Sequence, residues 1–98
     1  MDQQNLYQGL TQDEALIRVR DEIDQIDQEI HVLLNKRAEC AQRVADIKHN
    51  FGANSPVFYR PEREAQVLRN AMQRNQGPLP DREIARLFRE VMSVCLAH

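Results

Sequence analysis

The sequence is poor in aromatic residues and lacks the patterns of apolar residues that are typical of β-strands and membrane spans. It contains no Trp, and aromatic residues make up only 5% of its 98 residues. Val, Ile and Thr do not alternate with polar residues, so strands are not indicated. No apolar run approaches the roughly 20 residues that cross a bilayer, and no signal segment opens the chain. We therefore expect an all-α protein that is cytoplasmic and has no membrane partner.

Cysteine is also scarce, and basic residues are not in excess over acidic ones. The two cysteines, Cys40 and Cys95, lie at apolar helical positions, which is typical of buried free thiols in a reducing compartment. The three histidines share no ligand spacing with them, so we predict no metal site. The formal net charge of -2 argues against nucleic acid as a partner, because neutralising phosphates needs a basic footprint.

The stretch from Thr11 to about His49 has the pattern of one long amphipathic helix. Apolar residues recur at alternating spacings of three and four along a line that we call the seam. The seam consists of Leu16, Val19, Ile23, Ile26, Ile30, Leu33, Arg37, Cys40, Val44 and Ile47. Thr11 and Glu14 form a capping box at the start of this helix.

The length of this helix predicts a homodimer. At 1.5 Å per residue it would be about 57 Å long, whereas a compact chain of this size has a radius of gyration of roughly 13 Å. The rest of the chain is too short to cover the seam, so a second copy is the expected partner.

The remaining residues predict a leader and two further helices. Residues 1–10 are polar and we expect a flexible leader, with the folded domain at residues 11–98. Pro61 suits the first turn of a short helix that runs to about Asn75. Asp81 is the expected N-cap of a medium helix. The predicted core faces are Glu64, Val67, Leu68, Ala71 and Met72 in the second helix, and Ile84, Leu87, Phe88, Val91, Met92 and Cys95 in the third.

Three basic residues of the long helix are candidates for an anion site. Arg37 occupies a seam position, and Lys48 lies eleven residues further on, about 16 Å away on nearly the same face. Arg20 is about 42 Å from Lys48, too far to reach the same ligand in its own chain. In an antiparallel dimer with its two-fold axis near His31, Arg20 of one chain lies opposite the stretch around residue 42 of the other.

The second helix adds a carboxyl group, Glu64, next to Arg63 and near Arg60. Several fixed cations and one carboxyl, without a nucleophile–base pair, suit binding a small dianion and stabilising charge as it shifts. Structural interpretations stay open. A cation in a seam can fix the register of a coiled coil, and Glu64 can simply favour the start of its helix.

Taken together, one arginine and four segments resemble the all-helical chorismate mutases. They are Arg20, Leu33–Arg37, Val44–Lys48, Arg60–Leu68 and, in the third helix, Leu87–Ser93. The likeness covers roughly residues 14–98. It is greatest to the mutase domain at the start of the bifunctional chorismate mutase–prephenate dehydratases.

The resemblance implies an interlocked homodimer that rearranges chorismate to prephenate without a cofactor. It assigns one substrate carboxylate to Arg37 and the second to Arg20 of the other subunit. Lys48 would donate to the ether oxygen, and Glu64 would accept a hydrogen bond from the ring hydroxyl.

Three further residues receive supporting roles from the same likeness. Arg63 would make contacts around the carboxylates, and Cys95 falls where the family often has a small polar residue at the carboxylate end. Arg60 stands where the family commonly has an acidic residue and is a further candidate. The family's second donor to the ether oxygen lies about one turn beyond Cys95, and the sequence ends at His98, before that position. We therefore expect an excised N-terminal domain, followed in the full-length protein by a prephenate dehydratase domain.

Two alternative functions stay open. An isochorismate–pyruvate lyase of the same fold would release salicylate and pyruvate instead of prephenate. A non-catalytic helical module for dimerisation or regulation would bind neither substrate, and in it Arg37 would serve only the register of the helices.

Overall fold

The computed structural model describes residues 7–50 and 61–95, which form three α-helices. They are α1 (Gln12–Asn50), α2 (Pro61–Arg74) and α3 (Asp81–Cys95), with 39, 14 and 15 residues. No strand occurs in these two ranges. The all-α prediction of one very long and two shorter helices is confirmed, although α2 and α3 are nearly equal in length.

The start of α1 is held by the predicted capping box. The Thr11 amide donates to Glu14 Oε1 at 3.0 Å, and the Glu14 amide donates to Thr11 Oγ1 at 3.1 Å. The pKa of Glu14 is lowered chiefly by the hydrogen bond from the Thr11 backbone amide, and next by hydrogen bonding to the Thr11 side chain. A turn precedes the helix, in which the Leu10 amide donates to the Tyr7 carbonyl at 3.1 Å. These bonds satisfy amides that a helix start otherwise leaves unpaired.

The chain divides into two compact units, Met1–Leu33 and Leu34–His98. No described residue of the first unit is buried. Most of its seam residues remain about half exposed, including Ile23, Ile26 and Ile30. This part of α1 therefore has an apolar stripe that its own unit does not cover.

The second unit contains the buried residues of the described structure. A short connector at residues 75–80 makes α2 and α3 an antiparallel hairpin, and the two helices pack along each other. Ala71, Ala85 and Met92 are buried there, as is Ala41 of α1. The Arg74 guanidinium lies over the Phe88 ring, 5.2 Å from its centroid, and adds a cation–π contact to the hairpin.

Asn75 ties the corner of this hairpin together. Its Nδ2 atom donates to the Leu79 carbonyl and to Asp81 Oδ1, both at 2.8 Å, while its Oδ1 accepts from the Gly77 amide at 3.2 Å. Gly77 has a φ of 75°, a left-handed conformation that favours glycine. The Asp81 carboxylate therefore binds across the corner instead of capping α3. The N-cap is Pro80, whose carbonyl accepts from the Ile84 amide at 3.1 Å.

Two other sequence expectations differ from the structure. The sequence predicts Leu87 in the core of the hairpin, but Leu87 is 49% exposed, and Ala85, at 4%, is buried instead. The buried stripe of α3 is centred on Ala85 and Met92, seven residues apart, because a small residue permits close approach of α2. Cys40, expected to be buried, is exposed because no part of the described chain covers that position of α1.

Candidate active site

Arg37 is a half-buried residue on the seam of α1. Within the part of the chain that the structure describes, no carboxylate forms an ion pair with it. Partial burial of an uncompensated charge is unfavourable, and five fixed N–H donors make a guanidinium well suited to a planar carboxylate. The position therefore favours an anionic ligand over an apolar neighbour.

Lys48 lies in the last turn of α1 and is also half-buried. The eleven residues between Arg37 and Lys48 place the two cations on nearly the same face, about 16 Å apart along the axis. The C-terminal end of a helix dipole stabilises a cation at this place. Two long cationic side chains in one unit can thus converge on a small anion between them.

Glu64 and Cys95 lie at the open end of the α2–α3 hairpin. Glu64 is in the first turn of α2, and Cys95 is the last residue of α3. Because the helices are antiparallel, these two ends adjoin. Both residues are half-buried, and Cys95 is a free thiol. Glu64 shares the face of Ala71, seven residues on, which directs the carboxyl towards the packed side of α2.

Arg63 is exposed and forms a hydrogen bond with Gln66, a residue that the sequence patterns did not indicate as functional. Its Nη1 atom donates to Gln66 Oε1 at 2.7 Å. The spacing of three residues along a helix is a signal that could have identified this pair, since such residues are neighbours on the helix surface.

The structure brings Arg37, Lys48, Glu64 and Cys95 into one compact unit, and Arg63 belongs to it as well. Arg20 belongs to the first unit and is exposed. Arg60 lies outside the described residues. Across residues 7–50 and 61–95, no group of three or more His, Cys, Asp or Glu side chains could hold a metal ion. The available chemistry is that of fixed cations and one carboxyl.

Comparison with known proteins assigns this chain to a family. Residues 19–98 match the family described as chorismate mutase type II. The chain belongs to that family. The family expected from the sequence is thereby confirmed.

Similar proteins come from several bacteria. The chain is 52% identical over 86 residues to a bifunctional chorismate mutase/prephenate dehydratase of Pseudomonas aeruginosa, covering 86% of this chain and 24% of that protein. A protein of the same name from Neisseria gonorrhoeae is 53% identical over 87 residues, covering 89% and 23%. This chain thus spans about a quarter of the length of these relatives.

A solved structure shows the same arrangement of helices. Chorismate mutase (form II) from Thermus thermophilus superposes with a TM-score of 0.78 at 32% identity. The match covers 84% of this chain and 90% of that one. None of the helices described here is long and apolar enough to cross a membrane.

Proposed function

We propose that this chain catalyses the cofactor-free rearrangement of chorismate to prephenate. The observation that carries the proposal is the set of half-buried charged residues on one unit, Arg37, Lys48 and Glu64, in a member of a chorismate mutase family. One C–O bond breaks and one C–C bond forms in a single unimolecular step. No proton or electron has to enter or leave, so the protein needs only to hold the substrate and stabilise charge.

Two guanidinium groups hold the substrate dianion in this mechanism. Arg37 binds one carboxylate, and Arg20 of the partner subunit binds the second. Bidentate pairs of this kind fix both distance and orientation, which keeps a flexible molecule in the compact chair that bond formation requires. Arg63 and Cys95 contact the carboxylate end, and Arg60 is a further candidate there.

Lys48 and Glu64 act on the oxygen atoms of the substrate. Negative charge grows on the ether oxygen as the C–O bond breaks, and the Lys48 ammonium donates to that atom. This interaction is stronger in the transition state than in the ground state, so it raises the rate of the chemical step. The Glu64 carboxylate accepts a hydrogen bond from the ring hydroxyl and fixes the position of the ring.

The uncovered seam of α1 supports a homodimer as the working form. Ile26, Ile30 and Leu33, consecutive along the seam, are 52%, 48% and 62% exposed. A continuous apolar stripe of this length is unusual on the surface of a monomer. A second copy laid antiparallel along α1 would cover it and would bring its own Arg20 towards the site.

The distribution of charge supports the antiparallel arrangement of the two copies. Residues 1–33 contain eight acidic and two basic residues, whereas residues 34–98 contain seven acidic and eleven basic residues. Their net charges are therefore -6 and +4. Opposite fields attract and suppress wrong orientations, so the acidic unit of one copy favours the basic unit of the other.

The proposed activity is tested by mixing the protein with chorismate and following the loss of its ultraviolet absorbance. Acid conversion of the product to phenylpyruvate identifies prephenate. Arg37→Ala and Lys48→Ala should each lose turnover, while Lys36→Ala, at an exposed neighbouring position, should keep it. Unchanged turnover in both Arg37→Ala and Lys48→Ala would refute the assignment.

The same samples separate the alternative functions. Salicylate and pyruvate formed from isochorismate would indicate the lyase. Absence of both turnover and prephenate binding, measured by calorimetry, would indicate a module for dimerisation or regulation.

The greater length of the relatives supports a proposal about the full-length protein to which this chain belongs. We propose that this chain is the mutase region of a cytoplasmic protein that continues into a prephenate dehydratase domain. The names of the relatives, of which the chain spans about a quarter, support the fused domain. The free thiols of Cys40 and Cys95 support a reducing compartment. Formation of phenylpyruvate from chorismate at neutral pH by the full-length protein would test the fusion.

A further inference from the structure

The hydrogen bond between Arg63 and Gln66 distinguishes this arginine from its neighbours on α2. Arg63 lies between two carboxylates in the sequence, Glu62 and Glu64, and yet it forms no ion pair within the described residues. Its Nη1 atom instead donates to the neutral side-chain amide of Gln66 at 2.7 Å. Both residues are exposed on α2, on the flank of the helix next to the Glu64 face.

A neutral acceptor has a specific consequence for a guanidinium that binds anions. The amide oxygen takes one N–H of Nη1 and leaves the full positive charge on Arg63. The Nε and Nη2 donors lie along the other edge of the planar group, so that edge stays available for a bidentate carboxylate. A carboxylate in place of Gln66 would neutralise much of this charge and compete with the ligand.

We infer that Gln66 is a positioning residue for substrate binding. It holds the Arg63 guanidinium in a fixed orientation with its Nε–Nη2 edge open to a carboxylate of the substrate. The inference deepens the proposed function and rests on it, because it gives Arg63 an anionic ligand. The effect belongs to binding: orienting Arg63 lowers the entropy lost when the carboxylate binds and leaves the bond-breaking step unchanged.

The first test removes the acceptor while keeping the length of the side chain. Gln66→Met should raise the KM for chorismate and the dissociation constant of prephenate about two- to tenfold, the range for the net contribution of one typical hydrogen bond. The kcat should stay within about twofold of the original, because the lost interaction stabilises the bound substrate and the transition state equally. Gln73→Met is the matched control, because Gln73 is an exposed glutamine on the same helix whose side chain forms no hydrogen bond in the described structure. Equal effects of the two substitutions would overturn the inference.

The second test keeps the acceptor and adds a charge. Gln66→Glu preserves the hydrogen bond but places an anion beside Arg63. KM should therefore rise further than in Gln66→Met, and the increase should shrink as salt is added, because exposed charges are screened. A Gln66→Glu protein with the original KM would show that the neutrality of the acceptor is irrelevant and would overturn the inference.

A double-mutant cycle separates the two residues. In an Arg63→Ala background, Gln66→Met should have no further effect on prephenate binding measured by calorimetry, because the group that it orients is gone. An undiminished effect there would assign Gln66 a role of its own and refute positioning. If Arg63→Ala alone leaves prephenate affinity unchanged, the inference fails while turnover of chorismate by the original protein still stands. If the original protein has no turnover and no prephenate affinity, the proposed function itself fails.

Discussion

Replacing Ile26 with Ala should weaken the proposed homodimer and lower the specific activity at low protein concentration. Ile26 is a seam residue in the middle of the first unit and is 52% exposed in the single chain. A second copy along α1 would bury the remaining half of this side chain. The substitution removes this contact from both copies, because a two-fold interface contains each residue twice.

The size of the effect follows from the exposed fraction. Truncating a fully buried Ile to Ala costs about 2–5 kcal/mol. Since about half of Ile26 remains to be buried on association, each copy should lose about 1–2.5 kcal/mol, and the dimer about 2–5 kcal/mol. At 1.4 kcal/mol per factor of ten, the dissociation constant should rise by about 30-fold to several thousandfold.

Ile17→Ala is the matched control for this prediction. Ile17 lies nine residues before Ile26, which places it on the opposite side of α1, and it is 59% exposed. Both substitutions remove the same atoms and change helix propensity equally, so any difference between them reports on the seam. Sedimentation of a dilution series gives the dissociation constants. Chorismate turnover over the same concentrations should fall at the same midpoint, because each site needs Arg20 of the partner subunit.

Two results would refute this reasoning. Equal weakening of association by Ile17→Ala and Ile26→Ala would show that the seam is not the interface. A monomer at micromolar concentration with full turnover would show that a single chain completes the site without a partner.

Three further predictions concern single side chains. Lys48→Ala should lower kcat about 100- to 1,000-fold in initial-rate assays, the usual loss for one donor to a developing oxyanion, and a smaller loss would remove Lys48 from that role. Arg37→Leu should raise the urea midpoint of the dimer, because an apolar side chain suits the seam, and should abolish prephenate binding in calorimetry. Retained binding would leave Arg37 a purely structural role. Finally, the bonds from Thr11 lower the pKa of Glu14, so their stabilisation is full above the unfolded-state pKa and is lost as pH falls through the lowered value. The helicity of the original protein, measured by circular dichroism, should exceed that of Glu14→Gln at neutral pH, and the two should converge in acid. A difference that persists below the lowered pKa would contradict this explanation.

Much of the local structure was predictable because it depends on neighbours in the sequence. The capping box of Thr11 and Glu14 joins residues three apart. The bounds of α1 follow from a regular seam that is apolar at every position except Arg37 and from the absence of Gly and Pro along it. The feature that contributed most to identifying the family was the ordered series of Arg20, Arg37, Lys48 and the pair Arg63 and Glu64. None of these features requires a contact between distant parts of the chain.

Features that depend on packing between helices were less predictable. Leu87 and Ala85 are both apolar residues of α3, and only the close approach of α2 decides that the smaller one is buried. Aspartate is a suitable residue type for an N-cap, but the Asp81 carboxylate instead accepts a hydrogen bond from the Asn75 side-chain amide across the corner. The period of a helix does not indicate which side of a broad apolar face the next helix occupies.

The sequence by itself therefore determined the helices, their order, the family and the cations that a dianionic substrate would need, because each is written in local spacing or in a likeness to relatives. The tertiary structure alone decided which face of each helix is buried and placed Glu64 at the same end of a hairpin as Cys95. It also revealed that Arg63 is held by Gln66 and not by a neighbouring carboxylate. Those outcomes follow from the competition of side chains for the same space and the same hydrogen bonds, which is settled only when the helices have folded together.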